Sequence, residues 1–261
     1  IDNNFGRFFS TIGTIPGYGV LAIIGGAFFQ IGLKRKDYTT PIRFLLYFGA
    51  LVALGAAIFF SGREFFSRNG FYEHENLKPL GFVIILPIMG GLGYLGYYLA
   101  NHSDNKNLWF VLLIMSIFIF LSLVGGVTLL KSVFHRPRFR ALGGGLEFHH
   151  WWERCANYED YLITYSKEDF KSFPSGHAGA CAVAVMFACF LPLFNKKYQN
   201  IQLPIIYVAL AWTLFISFTR INAGAHFLSD VSMGALLTMG ATLIANEILI
   251  HTKRFAPQEA K

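Results

Sequence analysis

Long unbroken runs of apolar residues, separated by short polar turns, set the plan of this chain. Seven runs stand out, at about 16–33, 42–61, 79–100, 108–130, 176–195, 203–218 and 228–250. A helix rises about 1.5 Å per residue, so roughly 20 apolar residues cross a hydrocarbon core about 30 Å thick. The runs therefore predict an all-α, polytopic membrane bundle of six or seven transmembrane helices. The first run and the short one at 203–218 are the weaker members. Few residues lie outside the runs, so residues 1–261 read as a single membrane domain with no soluble module.

One stretch breaks the rhythm. Residues 131–175 form a polar loop with Gly143, Gly144 and Gly145, the run His149-His150-Trp151-Trp152, and then Tyr158, Tyr161 and Tyr165. Trp and Tyr favour the headgroup level. The loop is thus expected on the membrane interface, and a cap or wall over a lipid headgroup is compatible with that placement. Gly90, Gly91, Gly93 and Gly96 in the third run suit close helix packing.

Composition agrees with the pattern: 54% of the residues are hydrophobic, 17% aromatic and only 14% charged. A net charge of +7 would suit nucleic acid in a soluble chain, whereas in a membrane protein positive charge sets topology. Lys34, Arg35 and Lys36 share one loop, Lys196 and Lys197 another, and Lys253 and Arg254 follow the last run. With seven spans these clusters share one side, which the positive-inside rule makes cytoplasmic. The N-terminus and the loops 62–78, 131–175 and 219–227 then face outward, and dropping the first span moves only the N-terminus. Lys131, Arg136, Arg138, Arg140 and Arg220 fall on the outer side against this rule and need another explanation. The three cysteines imply no disulfide framework: Cys181 and Cys189 sit in a span and Cys155 is alone in the loop. The first run is long and followed by basic residues, which reads as a retained helix rather than a cleaved signal.

Three polar clusters on the predicted outer side carry the candidate chemistry. The first is Lys131 through Phe139, after the fourth run, and the second is Phe173-Pro174-Ser175-Gly176-His177, before the fifth. The third is Thr219-Arg220, then His226, then Asp230. His226 and Asp230 are four apart, so on a helix they share a face. A carboxylate bonded to one imidazole nitrogen fixes the tautomer and leaves the other free to attack. Arg220 offers a planar fork suited to phosphate oxygens. Ser175, Gly176 and His177 open a helix whose free N–H groups favour an anion, and His177 can protonate a leaving oxygen. Lys131 and Arg138 add cations, which phosphoryl transfer needs for charge stabilisation. Arg136 and Arg140 read as snorkelling anchors. His149 and Glu153 lie four apart without an evident third ligand, so interface packing is the expectation rather than zinc.

Spacing and order of these residues resemble the type 2 phosphatidic acid phosphatase superfamily. Its signature is Lys-x6-Arg-Pro, then Pro-Ser-Gly-His, then Ser-Arg-x5-His-x3-Asp, and the match covers roughly 131–230. Two residues depart: Phe139 stands where the family has Pro, and Thr219 where it has Ser. Arg136-Pro137 is a nearby Arg-Pro, but only four residues separate it from Lys131, so Arg138 is taken as the motif arginine. The resemblance implies that His226 is a nucleophile forming a phosphohistidine, that Asp230 orients it and that His177 is the general acid. It implies a phosphate cradle of Lys131, Arg138, Ser175, Gly176 and Arg220, with no metal and no cofactor.

The implied function is a multi-pass cell-membrane phosphatase, in a bacterial plasma membrane, acting on a lipid at the extracytoplasmic face. Undecaprenyl diphosphate, phosphatidylglycerol phosphate and phosphatidic acid are the candidate substrates, and no nucleic acid is expected as a partner. A phosphotransferase using the same intermediate is the nearest alternative. A non-enzymatic anion or lipid transporter is a more distant one, since transporters place broken helices near the bilayer midplane. Vanadium haloperoxidases have a similar anion site but are soluble.

Overall fold

The structure, a computed structural model, describes residues 4–65 and 78–252. The basic pair Lys253 and Arg254 lies outside the described residues, as do 66–77 of the outer loop expected at 62–78. Among the described residues every regular element is a helix. The N-terminal part holds α1 (Asn4–Ile12), α2 (Ile15–Lys34), α3 (Thr40–Phe65) and α4 (Lys78–Asn101). The remainder holds α5 (Leu108–Phe120), α6 (Leu129–Phe134), α7 (Phe139–Leu142), α8 (Tyr158–Tyr161), α9 (Gly176–Phe190), α10 (Gln199–Asn222) and α11 (Leu228–His251).

Seven segments among the described residues are long and apolar enough to cross a membrane. They are Phe5–Lys34, Thr40–Phe65, Pro79–Asn101, Leu108–Leu142, Gly176–Leu193, Lys196–Asn222 and Leu228–His251. The chain is therefore a seven-helix polytopic bundle by length and composition. The two weaker sequence candidates are in fact long, because α1 and α2 together make a 30-residue segment and α10 belongs to a 27-residue one. Between α5 and α6 the helix widens to a π-helix, Leu121–Thr128, where Thr128 Oγ1 donates to Leu123 O five residues back at 3.0 Å. Lys131 consequently stands on α6, inside the fourth span's last helical turns, and not in the loop that the hydropathy pattern starts there.

The helices form two groups. In one, α2 packs along both α3 and α4; in the other, α9 packs against α10 and α11. Contacts of α2 with α9 join the groups, and α5 closes against α2, α9 and α11. Small residues permit the tightest approaches. A Cβ on Gly96 of α4 would fall 1.9 Å from the Ile23 carbonyl oxygen of α2, so that crossing requires glycine. A Cβ on Gly90 or Gly91 would meet nothing within 4 Å, so of the four glycines only Gly93 and Gly96 face a neighbouring helix. Leu51, Val208 and Leu214 are each 70% exposed, a liability in water but the natural surface in lipid.

The two ends of the bundle differ. At one, Lys34 Nζ donates to Asn101 O (2.9 Å) and Arg35 Nη1 to Lys106 O (3.3 Å). Asn195 reaches His102 O (2.9 Å) and Asp104 (3.1 Å) at the same end. The loops carrying Lys34–Lys36 and Lys196–Lys197 thus gather together, as the charge pattern predicts. At the other end the long polar loop folds into a cap with its own small core. Ala141, Leu146, Cys155 and Phe170 are buried there, with Tyr158, Tyr161 and Tyr165 packed around them. Burying Phe170 contributes about 2–3 kcal/mol to holding the cap closed.

Candidate active site

All three polar clusters converge beneath the cap. His226 is buried and precedes α11, in the turn after α10. That turn needs Gly224, whose φ of +61° is a left-handed conformation that favours glycine. Nδ1 of His226 lies 2.7 Å from the Ser172 carbonyl oxygen. A carbonyl can only accept, so Nδ1 carries the proton and Nε2 keeps its lone pair. Burial, reinforced by the nearby cations Arg138, Lys131 and Arg220, holds the imidazole well below its ordinary pKa despite the Ser172 bond. At neutral pH His226 is an uncharged imidazole with a free nitrogen, as a nucleophile must be.

Asp230 stands beside His226, as its spacing suggests. Its Oδ2 is 3.7 Å from His226 Nδ1, an i,i+4 contact within ion-pair reach but longer than a hydrogen bond, because His226 lies outside the helix. Instead Asp230 joins three segments. Its carboxylate accepts from Arg136 Nη1 (2.5 Å), from Ser172 Oγ (2.5 Å) and from the Phe227 N–H (2.8 Å), while its carbonyl accepts from Ser175 N–H (2.8 Å). Asp230 thereby holds Ser172, and the Ser172 carbonyl holds the histidine.

Arg136 is correspondingly no snorkelling anchor. It is 3% exposed and makes a buried ion pair with Asp230. It also donates to Ser229 Oγ (2.8 Å) and His149 O (2.8 Å) and lies 4.2 Å over the Phe227 ring. Removing one partner of such a pair costs about 3–5 kcal/mol, because the other charge is left buried and unpaired.

Ser175 is the N-cap of α9 and its hydroxyl accepts from Ala178 N–H at 3.4 Å. Gly234 of α11 sits against it so closely that a Cβ would fall 2.1 Å from the Ser175 carbonyl oxygen. This crossing brings the N-terminus of α9 to the floor of the site, where the first helical N–H groups lack intrahelical partners. Arg138 is buried, with Nε on Glu168 O (2.7 Å) and Nη1 on Ala225 O (3.2 Å), while Nη2 takes part in neither bond. Lys131 Nζ donates to Lys171 O at 2.8 Å.

A cavity of about 1670 Å³ opens on this cluster. Lys131, Arg138, Gly176, His177 and His226 line it, while Ser175, Arg220 and Asp230 stand behind its wall, each 0–2% exposed. Arg220 is nonetheless close enough for its charge to bear on His226. Of the residues that depart from the signature, Thr219 turns its hydroxyl to Ile216 O (2.8 Å), away from any anion. Phe139 packs edge-on against Phe227 with centroids 5.6 Å apart. Glu153 accepts from the His150 N–H at 2.8 Å.

Sequence reasoning missed four contributors. Arg136 was visible as an Arg-Pro but set aside on spacing. Ser172 acts through its main-chain carbonyl, which leaves no side-chain signature. Ser10 of α1 meets His177 Nε2, Oγ at 3.2 Å and O at 3.1 Å, and Glu64 of α3 lies 3.9 Å from the same nitrogen. Both flank apolar runs, Ser10 before the first and Glu64 just after the second, and carry no motif that would mark them.

No curated protein and no solved structure matches the chain. Residues 106–253, more than half of the chain and all of the candidate site residues from Lys131 to Asp230, match the PAP2 superfamily, and the chain belongs to that superfamily.

Proposed function

We propose that this PAP2 protein is a lipid phosphatase that works through a phosphohistidine at the extracytoplasmic face of a membrane. The observation that carries the lipid reading is the shape of the cavity. From the polar cluster it continues as an apolar groove between α3 and α5, lined by Phe60, Ala56 and Leu45 on one side and Phe120, Leu113 and Trp109 on the other. Lys131 and Trp109 are 22 residues apart, roughly 33 Å along a helix, which is the thickness of a hydrocarbon core. A phosphate held at Lys131 can therefore keep its tail in the bilayer.

Chemically, Nε2 of His226 attacks phosphorus while Arg138, Lys131 and the N–H groups at the start of α9 hold the equatorial oxygens and the Arg220 charge behind them adds to the positive field. The leaving oxygen takes a proton from His177 as its bond to phosphorus breaks. Water then attacks the phosphohistidine, releasing phosphate and restoring the imidazole. Every group named belongs to the chain, so this mechanism asks nothing of a metal. The outward orientation rests on the two described basic loops, which gather at the end opposite the site.

The test is phosphate release by the detergent-purified protein in EDTA, with undecaprenyl diphosphate, phosphatidylglycerol phosphate and phosphatidic acid beside a soluble alkyl phosphate. Release from a lipid at least tenfold faster than from the soluble ester is expected, given about 1.5–3 kcal/mol of binding per buried apolar group. Equal rates on both sink the lipid reading. Dependence on an added acceptor alcohol turns the assignment to a phosphotransferase.

A further inference from the structure

We propose that Glu64 of α3, with Ser10 of α1, is a positioning residue for the acid half of the reaction: Glu64 and His177 together hold the proton that leaves with the alkoxide. The proposal rests on the phosphohistidine reading above. It places part of the chemistry in helices outside residues 106–253, the stretch that matches the superfamily.

Three observations converge on it. Glu64 Oε2 is 3.9 Å from His177 Nε2, and each side chain is 13% exposed. Both residues line the cavity, so the pair borders the space in which the leaving oxygen must sit. The Ser10 carbonyl, 3.1 Å from the same nitrogen, can only accept, which puts a proton on Nε2 and orients it. Ser10 is itself wholly buried, so α1 holds the ring against a fixed wall.

The charges around His177 show what a carboxylate changes. Lys131 on α6, Arg138 beyond it, Arg220 on α10 and His226 before α11 all face it, while α3 adds Arg63, paired with Glu64, and α2 adds Tyr18 on the Glu64 side. A general acid among cations loses its proton readily unless an opposite charge lies close. Glu64 is the carboxylate within reach, its Oε2 3.9 Å from His177 Nε2 while its Oε1 pairs with Arg63 Nε at 3.3 Å. In the first half-reaction the P–O bond breaks, its electron pair stays on the leaving oxygen, and that oxygen takes the proton of the pair. In the second, water's oxygen bonds phosphorus, the N–P bond breaks, and the pair recovers a proton from that water.

An ester that needs no acid separates this role from a merely structural one. Turnover of phosphatidic acid and of p-nitrophenyl phosphate is measured across pH for the parent protein, Glu64→Gln, Glu64→Asp and His226→Ala. Glu64→Gln is expected to lose about tenfold or more on phosphatidic acid, within the range general acids supply, and at most a few fold on the aryl ester. Its alkaline limb of kcat on phosphatidic acid should move down by about one pH unit or more, as a charge at this distance requires. Glu64→Asp should recover most of both effects. With His226→Ala inactive, equal losses on the two esters or an unmoved alkaline limb overturn the Glu64 role alone. Persistent turnover of both esters by His226→Ala overturns the phosphohistidine reading, and the Glu64 role with it.

Discussion

The last seven helices and the first four contribute to the site by different physical routes. From α5 onward, each functional side chain sits at a helix end or in a short turn next to a polar motif. Arg220 lies in the last turn of α10, His226 in the turn after it and Asp230 in the first turn of α11, while Ser175, Gly176 and His177 open α9. The first four helices instead act over long sequence separation, Ser10 reaching His177 across 167 residues. They also supply one wall of the groove through Leu45, Ala56 and Phe60. One region supplies the polar motif groups and their hydrogen-bonded clamp, and the other supports them by packing, so substitutions in the two should fail in different ways.

The largest structural effect is expected in the motif half. Arg136→Leu leaves Asp230 buried without its ion-pair partner and should destabilise the protein by about 3–5 kcal/mol. Unfolding in mixed micelles measures it, and a loss below about 1 kcal/mol refutes the clamp. In the N-terminal half, Gly96→Ala forces α4 away from Ile23 of α2 and should cost about 1–3 kcal/mol. A neutral result there breaks the claim that packing of α2 on α4 is glycine-dependent.

A smaller effect should appear with pH. His226 is held neutral in the folded site, so its native pKa lies below the unfolded value of about 6.5. Between those two values the unfolded chain binds more protons, so stability falls as pH drops below about 6.5 and stops falling once the native pKa is passed. Melting temperature followed from pH 7.5 to 5 should show this slope, and His226→Gln should flatten it. An unchanged slope in the variant contradicts a buried neutral imidazole. Smallest of all, Gly90→Ala faces open space and should stay within about 0.5 kcal/mol of the parent.

Much of this was legible in the chain before its structure. Hydropathy alone marks the seven helices, because lipid requires long apolar segments with internally bonded backbones. Motif spacing alone brings Lys131, Arg138, His177 and His226 to one place, since each neighbours a helix end on the same side. What spacing did not foresee was the set of hydrogen-bond partners around Asp230. Asp230 does stand beside His226, at 3.7 Å, but the helix begins only at Leu228, so the carboxylate takes its side-chain hydrogen bonds from Arg136 and Ser172. The carbonyl of Ser172 and the carbonyl of Ser10 carry information in main-chain position, to which residue identity is blind. Glu64 reads as one acid at the end of an apolar run, and only the fold, which brings the end of α3 to 3.9 Å from His177, reveals its neighbour.

The central claim is that phosphate passes through Nε2 of His226. Its most direct test is rapid alkaline quenching of the purified protein during turnover of a phosphate-labelled substrate in EDTA, followed by mapping of the labelled peptide. The account predicts an alkali-stable, acid-labile label on His226, absent from His226→Ala, which should be slower by about 10⁴-fold or more. Label on any other residue, or full turnover by His226→Ala, would contradict it.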